Sequence, residues 1–309
     1  MSIARSTLLA ASRNSWLAER FMRRPFARRA VKRFMPGEEL ADALAAAEAL
    51  APAHIGSIVT RLGETLTGES QGDAVRDHYL AAFDDIRARG LPTVVSIKPT
   101  QLGLDHSADS CRDHLEVLAR KAVETGSQLW IDMEDSSYVD RTLALYRHVK
   151  SRYEPVGIAI QAYLRRTPQD IESLMDLNPM IRLVKGAYAE PPHVAFPSKR
   201  DVDLAFVSLG GRLLEAAQRG VGRPILGTHD MSIVRQIVGR AAALKLPRDR
   251  FEIHMLYGIR SADQRSLAAD GHAVRCLISY GAQWFPWYMR RLAERPANIW
   301  FVMRSTFMR

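Results

Sequence analysis

Residues 181–188 read Ile-Arg-Leu-Val-Lys-Gly-Ala-Tyr, a short apolar run that passes into polar and small residues. The run Ile181 to Val184 is rich in apolar side chains and too short for a helix, so it predicts a buried strand. The glycine that follows predicts the end of that strand.

Seven further runs of this kind occur between about residue 40 and the end of the chain. The eight predicted strands are Ile55 to Leu62, Thr93 to Lys98, Gln128 to Met133, Gly157 to Ala162, Ile181 to Val184, Pro224 to Gly227, Glu252 to Leu256 and Ala273 to Ile278.

Stretches with helical periodicity separate these runs. Examples are Cys111 to Glu124, Asp140 to Ser151, Thr167 to Leu177, Val202 to Gln218 and Ser232 to Ala243. Eight alternating strand and helix units predict an α/β fold, a closed (βα)8 barrel of the TIM type, with a doubly wound sheet as the alternative.

The composition is typical of a globular protein, since 47% of the 309 residues are hydrophobic and 25% are charged. We expect a barrel domain over residues 41–309. The two cysteines, Cys111 and Cys276, form no metal or redox motif. A reducing, cytoplasmic setting is therefore expected.

Positive charge is concentrated at the start of the chain. Residues 1–35 contain nine Arg or Lys and one Glu, which accounts for +8 of the net charge of +9. Residues 1–40 are predicted to be a basic helical arm. The arm either contacts an anionic membrane surface peripherally, on the inner face of the membrane, or packs on the barrel. No run approaches the roughly 18 apolar residues of a membrane span.

Polar residues follow six of the predicted strands. In a parallel barrel the carboxyl ends of the strands meet on one face, where such enzymes place their active sites. The segments concerned are Lys98-Pro99-Thr100-Gln101, Asp132-Met133-Glu134-Asp135, Gln161-Ala162-Tyr163, Lys185-Gly186-Ala187-Tyr188, Thr228-His229-Asp230 and Leu256-Tyr257-Gly258.

Several common catalytic and cofactor-binding motifs are missing, which excludes some classes of enzyme. Gly220-Val221-Gly222 precedes a predicted strand, whereas a dinucleotide fingerprint follows one. The sequence has no Walker loop, nucleophile elbow or closely spaced metal ligands, so we predict no metal site and no hydrolase of these types. We also expect no nucleic-acid partner.

Two adjacent arginines, Arg290 and Arg291, lie near the end of the chain. Their guanidinium groups offer planar forks of donors, so the pair predicts a clamp for a carboxylate-bearing substrate. Glu294 follows Arg290 by four residues and is placed to orient it. The alternative is a solvated basic helix face.

Taken together, these segments resemble the barrel of the proline dehydrogenase family of flavoenzymes, of the monofunctional bacterial type. The resemblance covers about residues 55 to 305. It rests on Leu62-Gly63-Glu64, Ile97-Lys98-Pro99-Thr100-Gln101-Leu102-Gly103, Ile131-Asp132-Met133-Glu134, Gln161-Ala162-Tyr163, Arg182-Leu183-Val184-Lys185-Gly186-Ala187-Tyr188, Gly227-Thr228-His229-Asp230, Met255-Leu256-Tyr257-Gly258 and Arg290-Arg291 with Glu294.

The resemblance implies a distorted barrel that holds FAD and oxidises L-proline to 1-pyrroline-5-carboxylate. Hydride would pass to flavin N5, and electrons to a quinone-type acceptor. It implies that Lys98, Arg290 and Arg291 bind the substrate carboxylate, that Asp132 holds Lys98 or a ring residue, and that Glu64 gates the site by pairing with Arg290. The implied flavin contacts are Gln161, Arg182, Val184, Lys185, Gly186, Ala187, Thr228, His229 and Glu294.

The implied substrate walls are Tyr188, Leu256, Leu277 and Trp287, and two of these depart from the family pattern. Leu277 and Trp287 stand where the family usually has tyrosine. A changed pocket wall discriminates between substrates by about 1–3 kcal/mol. A 4-hydroxyproline or another cyclic secondary amino acid is therefore an alternative substrate.

Two rival functions remain open at this point. A Schiff-base lyase would use Lys98 or Lys185 with a strongly lowered pKa. A former enzyme that keeps the fold as a binding module is the non-catalytic alternative, and retention of three carboxylate-binding cations argues against it.

Overall fold

The computed structural model describes residues 32–63 and 70–284. Within them, eight parallel strands form a closed barrel in which each strand pairs with the next and β8 pairs with β1. The predicted (βα)8 barrel is thus confirmed. The strands are β1 (Ile55–Arg61), β2 (Thr93–Ile97), β3 (Leu129–Ile131), β4 (Val156–Gln161), β5 (Met180–Val184), β6 (Arg223–Gly227), β7 (Glu252–Leu256) and β8 (Ala273–Tyr280).

Helices alternate with these strands on the outside of the barrel. The first helix precedes β1 and packs against β1 and β8. The helices are α1 (Leu40–Leu50), α2 (Ser70–Ala88), α3 (Ala108–Glu124), α4 (Val139–Lys150), α5 (Thr167–Glu172), α6 (Lys199–Gln218), α7 (Met231–Ala243) and α8 (Ser261–Ala269). In the described part of the chain, none of them is long and apolar enough to cross a membrane. The arm predicted for residues 1–40 lies mostly outside the described residues, and its boundary stays a prediction.

Alternate strand residues build two separate cores, because successive side chains point to opposite faces of a strand. Outward residues such as Val59, Val95 and Ile131 belong to the large core between the barrel and the helices. Inward residues form a small cluster inside the barrel, with half-buried Leu277 packed against it. Its members are Ile58, Val94, Trp130, Met180 and Ile225.

Helix starts are fixed by side chains that directly precede them. Ser107 caps α3 by accepting a hydrogen bond from the Ser110 amide, and Asp230 caps α7 by accepting one from the Ser232 amide. Such caps satisfy amides that have no partner within the helix. Asp230 closely follows β6, so this cap fixes the direction in which the chain leaves the carboxyl end of β6 and enters α7.

Candidate active site

Inward side chains at the carboxyl ends of the strands are brought together, as predicted. Ser96 pairs with Trp130, Arg182 with Ala159, and Val184 with Gln161 in the parallel registers. Paired residues of adjacent parallel strands share a face of the sheet. Asp132 follows Trp130 by two positions and therefore belongs to the same inward row.

Arg182 is the centre of this arrangement. It is only 3% exposed. Its Nη2 donates to Ser96 Oγ at 3.0 Å and to the carboxylate of Asp132, with which it forms an ion pair. Its guanidinium carbon lies 5.0 Å from the centre of the Trp130 ring. Arg182 Nη1 is buried and has no hydrogen-bond partner among residues 32–63 and 70–284.

Gln161, on the neighbouring strand, is also only 3% exposed and is oriented by the backbone after β3. Its Nε2 donates to the Glu134 carbonyl oxygen at 3.1 Å. Its Oε1 is buried and accepts no hydrogen bond from any described residue. A buried polar atom without a partner costs about 1–3 kcal/mol. The Arg182 donor and the Gln161 acceptor therefore favour a ligand that satisfies both.

Two glycines allow close backbone packing near these groups. Gly186 has φ of +113°, and a Cβ there would overlap the ring of Tyr163. A Cβ at Gly227 would lie 2.8 Å from Val184 Cγ1. The absence of a side chain at both positions keeps the ends of β5 and β6 tightly packed.

Lys185 binds two carboxylates, one on α6 and one at the start of α7. Its Nζ pairs with Asp203 of α6 and, at 3.3 Å, with Asp230. Burial raises the pKa of Asp203, but hydrogen bonds from Lys185 and Lys199 outweigh it and lower that pKa below its ordinary value. Lys185 therefore ties the end of β5 to α6 and α7, and its predicted flavin contact stays a prediction.

Thr228 and His229 organise the ends of β6 and β7. Thr228 Oγ1 accepts a hydrogen bond from the Asp230 amide at 3.1 Å. His229 Nε2 accepts one from the Leu256 amide at 3.3 Å, which brings the predicted flavin contact His229 next to the predicted wall residue Leu256. Leu256 pairs in turn with Leu277 of β8. The structure thus gathers part of the predicted substrate wall inside the barrel.

Three further predicted site residues lie at the same end of the barrel. Lys98, Ala187 and Tyr188 are half-buried just beyond the ends of β2 and β5. Their predicted contacts with substrate and flavin stay predictions. Five other predicted residues lie outside the described residues, and their roles stay predictions as well. They are Glu64, Trp287, Arg290, Arg291 and Glu294.

Three residues that fix the site had no role predicted from the sequence. Ser96 and Trp130 contact Arg182 directly. Glu134 is buried, and its carboxylate accepts hydrogen bonds from the Thr100 amide at 3.1 Å and the Thr100 hydroxyl at 2.7 Å. Ser96 precedes Lys98 by two positions, and Trp130 precedes Asp132 by two. Because every second residue of a strand points to the same face, this spacing could have predicted that Ser96 and Trp130 point into the barrel.

A second polar cluster fills the amino-terminal end of the barrel. Glu252 accepts hydrogen bonds from Arg223 Nε at 3.0 Å, Arg275 Nε at 2.9 Å and His254 Nε2 at 2.9 Å. Burial alone would raise the pKa of Glu252, but these neighbours lower it below its ordinary range. Burial lowers the pKa of His254 to about 4, against the opposing effect of Glu252. His254 is therefore neutral near pH 7.

We expect His254 to make the protein less stable in mild acid. Its folded pKa of about 4 is below the ordinary 6.5, so the unfolded chain binds more protons between these values. The free energy of unfolding should fall as the pH falls through this window. Urea unfolding near pH 7 and pH 5 measures it. The neutral variant His254→Gln should lose less stability, and equal losses would contradict this account.

Comparison with known proteins identifies the family. The family model described as proline dehydrogenase matches residues 43–304. Proline dehydrogenase 1 of Bacillus subtilis (strain 168) is 36% identical over 274 residues, covering 89% of each chain. Proline dehydrogenase of Deinococcus radiodurans is 35% identical over 279 residues, again covering 89% of each. The chain belongs to the proline dehydrogenase family, and the prediction that it is an oxidoreductase is confirmed.

A solved structure supports the fold. Proline utilization A from Bdellovibrio bacteriovorus, inactivated by N-propargylglycine, superposes with a TM-score of 0.81 at 23% sequence identity. The match covers 91% of this chain and 34% of that chain, so this chain spans about a third of that larger protein.

Family membership implies a flavin cofactor, and the buried groups fit one. The edge of a flavin ring carries nitrogens and carbonyl oxygens that accept hydrogen bonds and one N–H that donates. Arg182 Nη1 supplies a buried donor and Gln161 Oε1 a buried acceptor. They lie on neighbouring strands at the end of the barrel where such enzymes bind ligands.

Proposed function

We propose that this chain oxidises L-proline to 1-pyrroline-5-carboxylate with FAD as its cofactor. One observation supports this most strongly. In a barrel of the proline dehydrogenase family, the neighbouring strands β4 and β5 carry Gln161 and Arg182, which are both buried and each have a polar atom without a hydrogen-bond partner among the described residues. The relatives at 35–36% identity over 89% of the chain carry the name proline dehydrogenase.

The flavin would supply the hydride acceptor, and the residues of this chain would hold both partners. Arg182 Nη1 and Gln161 Oε1 would bind the flavin edge, and the positive charge of Arg182 would stabilise its reduced form. Asp132 and Ser96 fix the Arg182 guanidinium. Lys98, Arg290 and Arg291 would bind the substrate carboxylate, with Glu64 as gate.

Anaerobic reduction tests the proposal. The purified protein is mixed with L-proline, 4-hydroxyproline and other cyclic amino acids, and bleaching of the flavin absorbance is followed. The cofactor is then released by denaturation and identified by chromatography. We expect FAD and reduction by proline. A protein that neither carries nor takes up flavin would contradict the proposal and favour the Schiff-base lyase.

Arg291→Met should weaken substrate binding far more than flavin binding. Its proposed partner is the substrate carboxylate, and a lost charge-assisted hydrogen bond costs about 1.5–3 kcal/mol, or roughly 10-fold to 100-fold in affinity. The measurement is the substrate dependence of flavin reduction. Arg219→Met, on the loop after α6, is the control and should leave both affinities unchanged. An unaltered substrate affinity in Arg291→Met would argue against the clamp.

Leu277 makes 4-hydroxyproline the second candidate substrate. It packs against the inner cluster of the barrel and pairs with Leu256, and a tyrosine is usual there in the family. Leu277→Tyr should raise the preference for proline over 4-hydroxyproline by about 1–3 kcal/mol in the ratio of kcat/KM values. Trp287→Tyr should change that ratio less. A ratio that does not move with Leu277→Tyr would remove Leu277 from the substrate pocket.

A quinone is the electron acceptor that this proposal favours. The basic segment of residues 1–35, with +8 of the net charge of +9, would bring the protein to an anionic membrane surface where such acceptors reside. The contact would be peripheral, from the cytoplasmic side.

A further inference from the structure

Trp130 is the largest fully buried side chain among the described residues, and it lies inside the barrel. Its Nε1 donates to Gln128 Oε1 at 3.3 Å. A Cβ at Gly157 of β4 would lie 2.5 Å from Cζ3 of the Trp130 ring. Only a glycine at position 157 therefore leaves room for this ring. The ring is therefore held at one edge and along one side.

The same ring contacts two charged or polar groups of the barrel interior. The guanidinium carbon of Arg182 lies 5.0 Å from its centre, within the range of a cation–π interaction. The His254 ring meets it edge to face, with centres 5.7 Å apart and an interplanar angle of 75°. Edge-to-face packing favours one relative orientation of two rings. Trp130 thus links the Glu252–His254 pair to the flavin-facing end of the barrel.

Three contacts within the described part of the chain define the position of the Arg182 guanidinium. They are the hydroxyl of Ser96, the carboxylate of Asp132 and the ring of Trp130. Ser96 and Asp132 both accept hydrogen bonds from Nη2, so both hold the same edge of the guanidinium. The ring of Trp130 lies against the guanidinium and adds a contact that the two hydrogen bonds at Nη2 do not provide.

We propose that Trp130 is a positioning residue, which fixes the Arg182 guanidinium so that Nη1 stays available to the flavin. This inference rests on the proposed function. Arg182 would stabilise the reduced flavin, which gains negative charge, more than the oxidised flavin. Loosening Arg182 should therefore lower the flavin midpoint potential as well as its affinity.

The test uses the full chain loaded with FAD. Flavin affinity is measured by titration of the apoprotein, and the midpoint potential by anaerobic equilibration with reference dyes. Trp130→Leu should bind flavin about tenfold more weakly, because the Arg182 guanidinium would then be ordered only when flavin binds, and should have a lower midpoint potential. Trp130→Phe keeps an aromatic face and should change both quantities less.

Gly157→Ala tests the same idea without removing the tryptophan. The added methyl group would displace the Trp130 ring, so the midpoint potential should again fall. Gly211→Ala in α6 is the matched control, because its methyl group would meet nothing within 4 Å. Phe206→Leu removes a fully buried aromatic side chain of the outer core. It should lower the free energy of unfolding and leave the midpoint potential unchanged.

The outcomes separate the two proposals. A wild-type protein that takes up no flavin overturns the proposed function and this inference with it. If the wild type binds flavin while Trp130→Leu and Gly157→Ala both keep its affinity and potential, the positioning role alone is overturned. A potential that falls equally in Phe206→Leu would also overturn it, because the effect would then follow general destabilisation.

Discussion

Asp132→Asn is expected to lower the free energy of unfolding by about 3 kcal/mol, the lower end of the cost of breaking a buried ion pair. The Arg182 side chain is 4% exposed, and Asp132 is the only carboxylate paired with it among residues 32–63 and 70–284. Asparagine can still accept a hydrogen bond, but it leaves the buried positive charge uncompensated. We expect flavin content to fall as well, because Arg182 would no longer be held.

The control for this variant is Asp84→Asn. Asp84 pairs with Lys121 on the surface, and its side chain is 60% exposed. Such pairs contribute about 0–1 kcal/mol. Urea unfolding of both variants measures the difference, and the double variant Asp132→Asn with Arg182→Met should recover part of the lost stability. Equal stability of the two single variants would mean that solvent, and not Asp132, compensates Arg182.

The fold was predictable because the strands are short apolar runs separated by helical patterns. All eight predicted strands overlap observed ones. Their limits were less predictable where side chains compete with the backbone. The helix predicted over Thr167 to Leu177 ends at Glu172, and Ser173 Oγ donates to the Asp170 carbonyl oxygen at the break. A serine that donates to a backbone carbonyl oxygen three residues earlier in this way favours helix ends.

The location of the site was also predictable, since the carboxyl ends of parallel strands converge. Its internal contacts were not. Arg182 of β5 reaches Ser96 of β2 and Asp132, which follows β3. These strands are not neighbours of β5, so the contacts exist only because the barrel closes. We expected Asp132 to hold Lys98 or a ring residue, and the structure shows it bound to Arg182, a predicted flavin contact.

Among substitutions that add one methyl group to the candidate site, Gly186→Ala is expected to lower the free energy of unfolding most. Gly186 has φ of +113°, which L side chains rarely adopt, so strain alone should cost about 1–3 kcal/mol. The new methyl group would also overlap the Tyr163 ring, and forced overpacking costs about a further 1–3 kcal/mol. Tyr163 cannot easily move aside, because its backbone is bonded to Lys185 and Phe196 and its side chain is buried.

The same change should also displace the segment that carries Ala187 and Tyr188, so flavin uptake and proline affinity should fall along with stability. Gly239→Ala in α7 is the matched control. Its methyl group would meet nothing within 4 Å, and alanine favours a helix over glycine by about 1 kcal/mol, so this variant should be as stable as the wild type or more so. Urea unfolding and flavin titration of both variants provide the comparison. If Gly186→Ala matched Gly239→Ala in both stability and flavin affinity, the end of β5 would have to be loose enough to move away from Tyr163, and the tight packing inferred for the ends of β5 and β6 would be wrong.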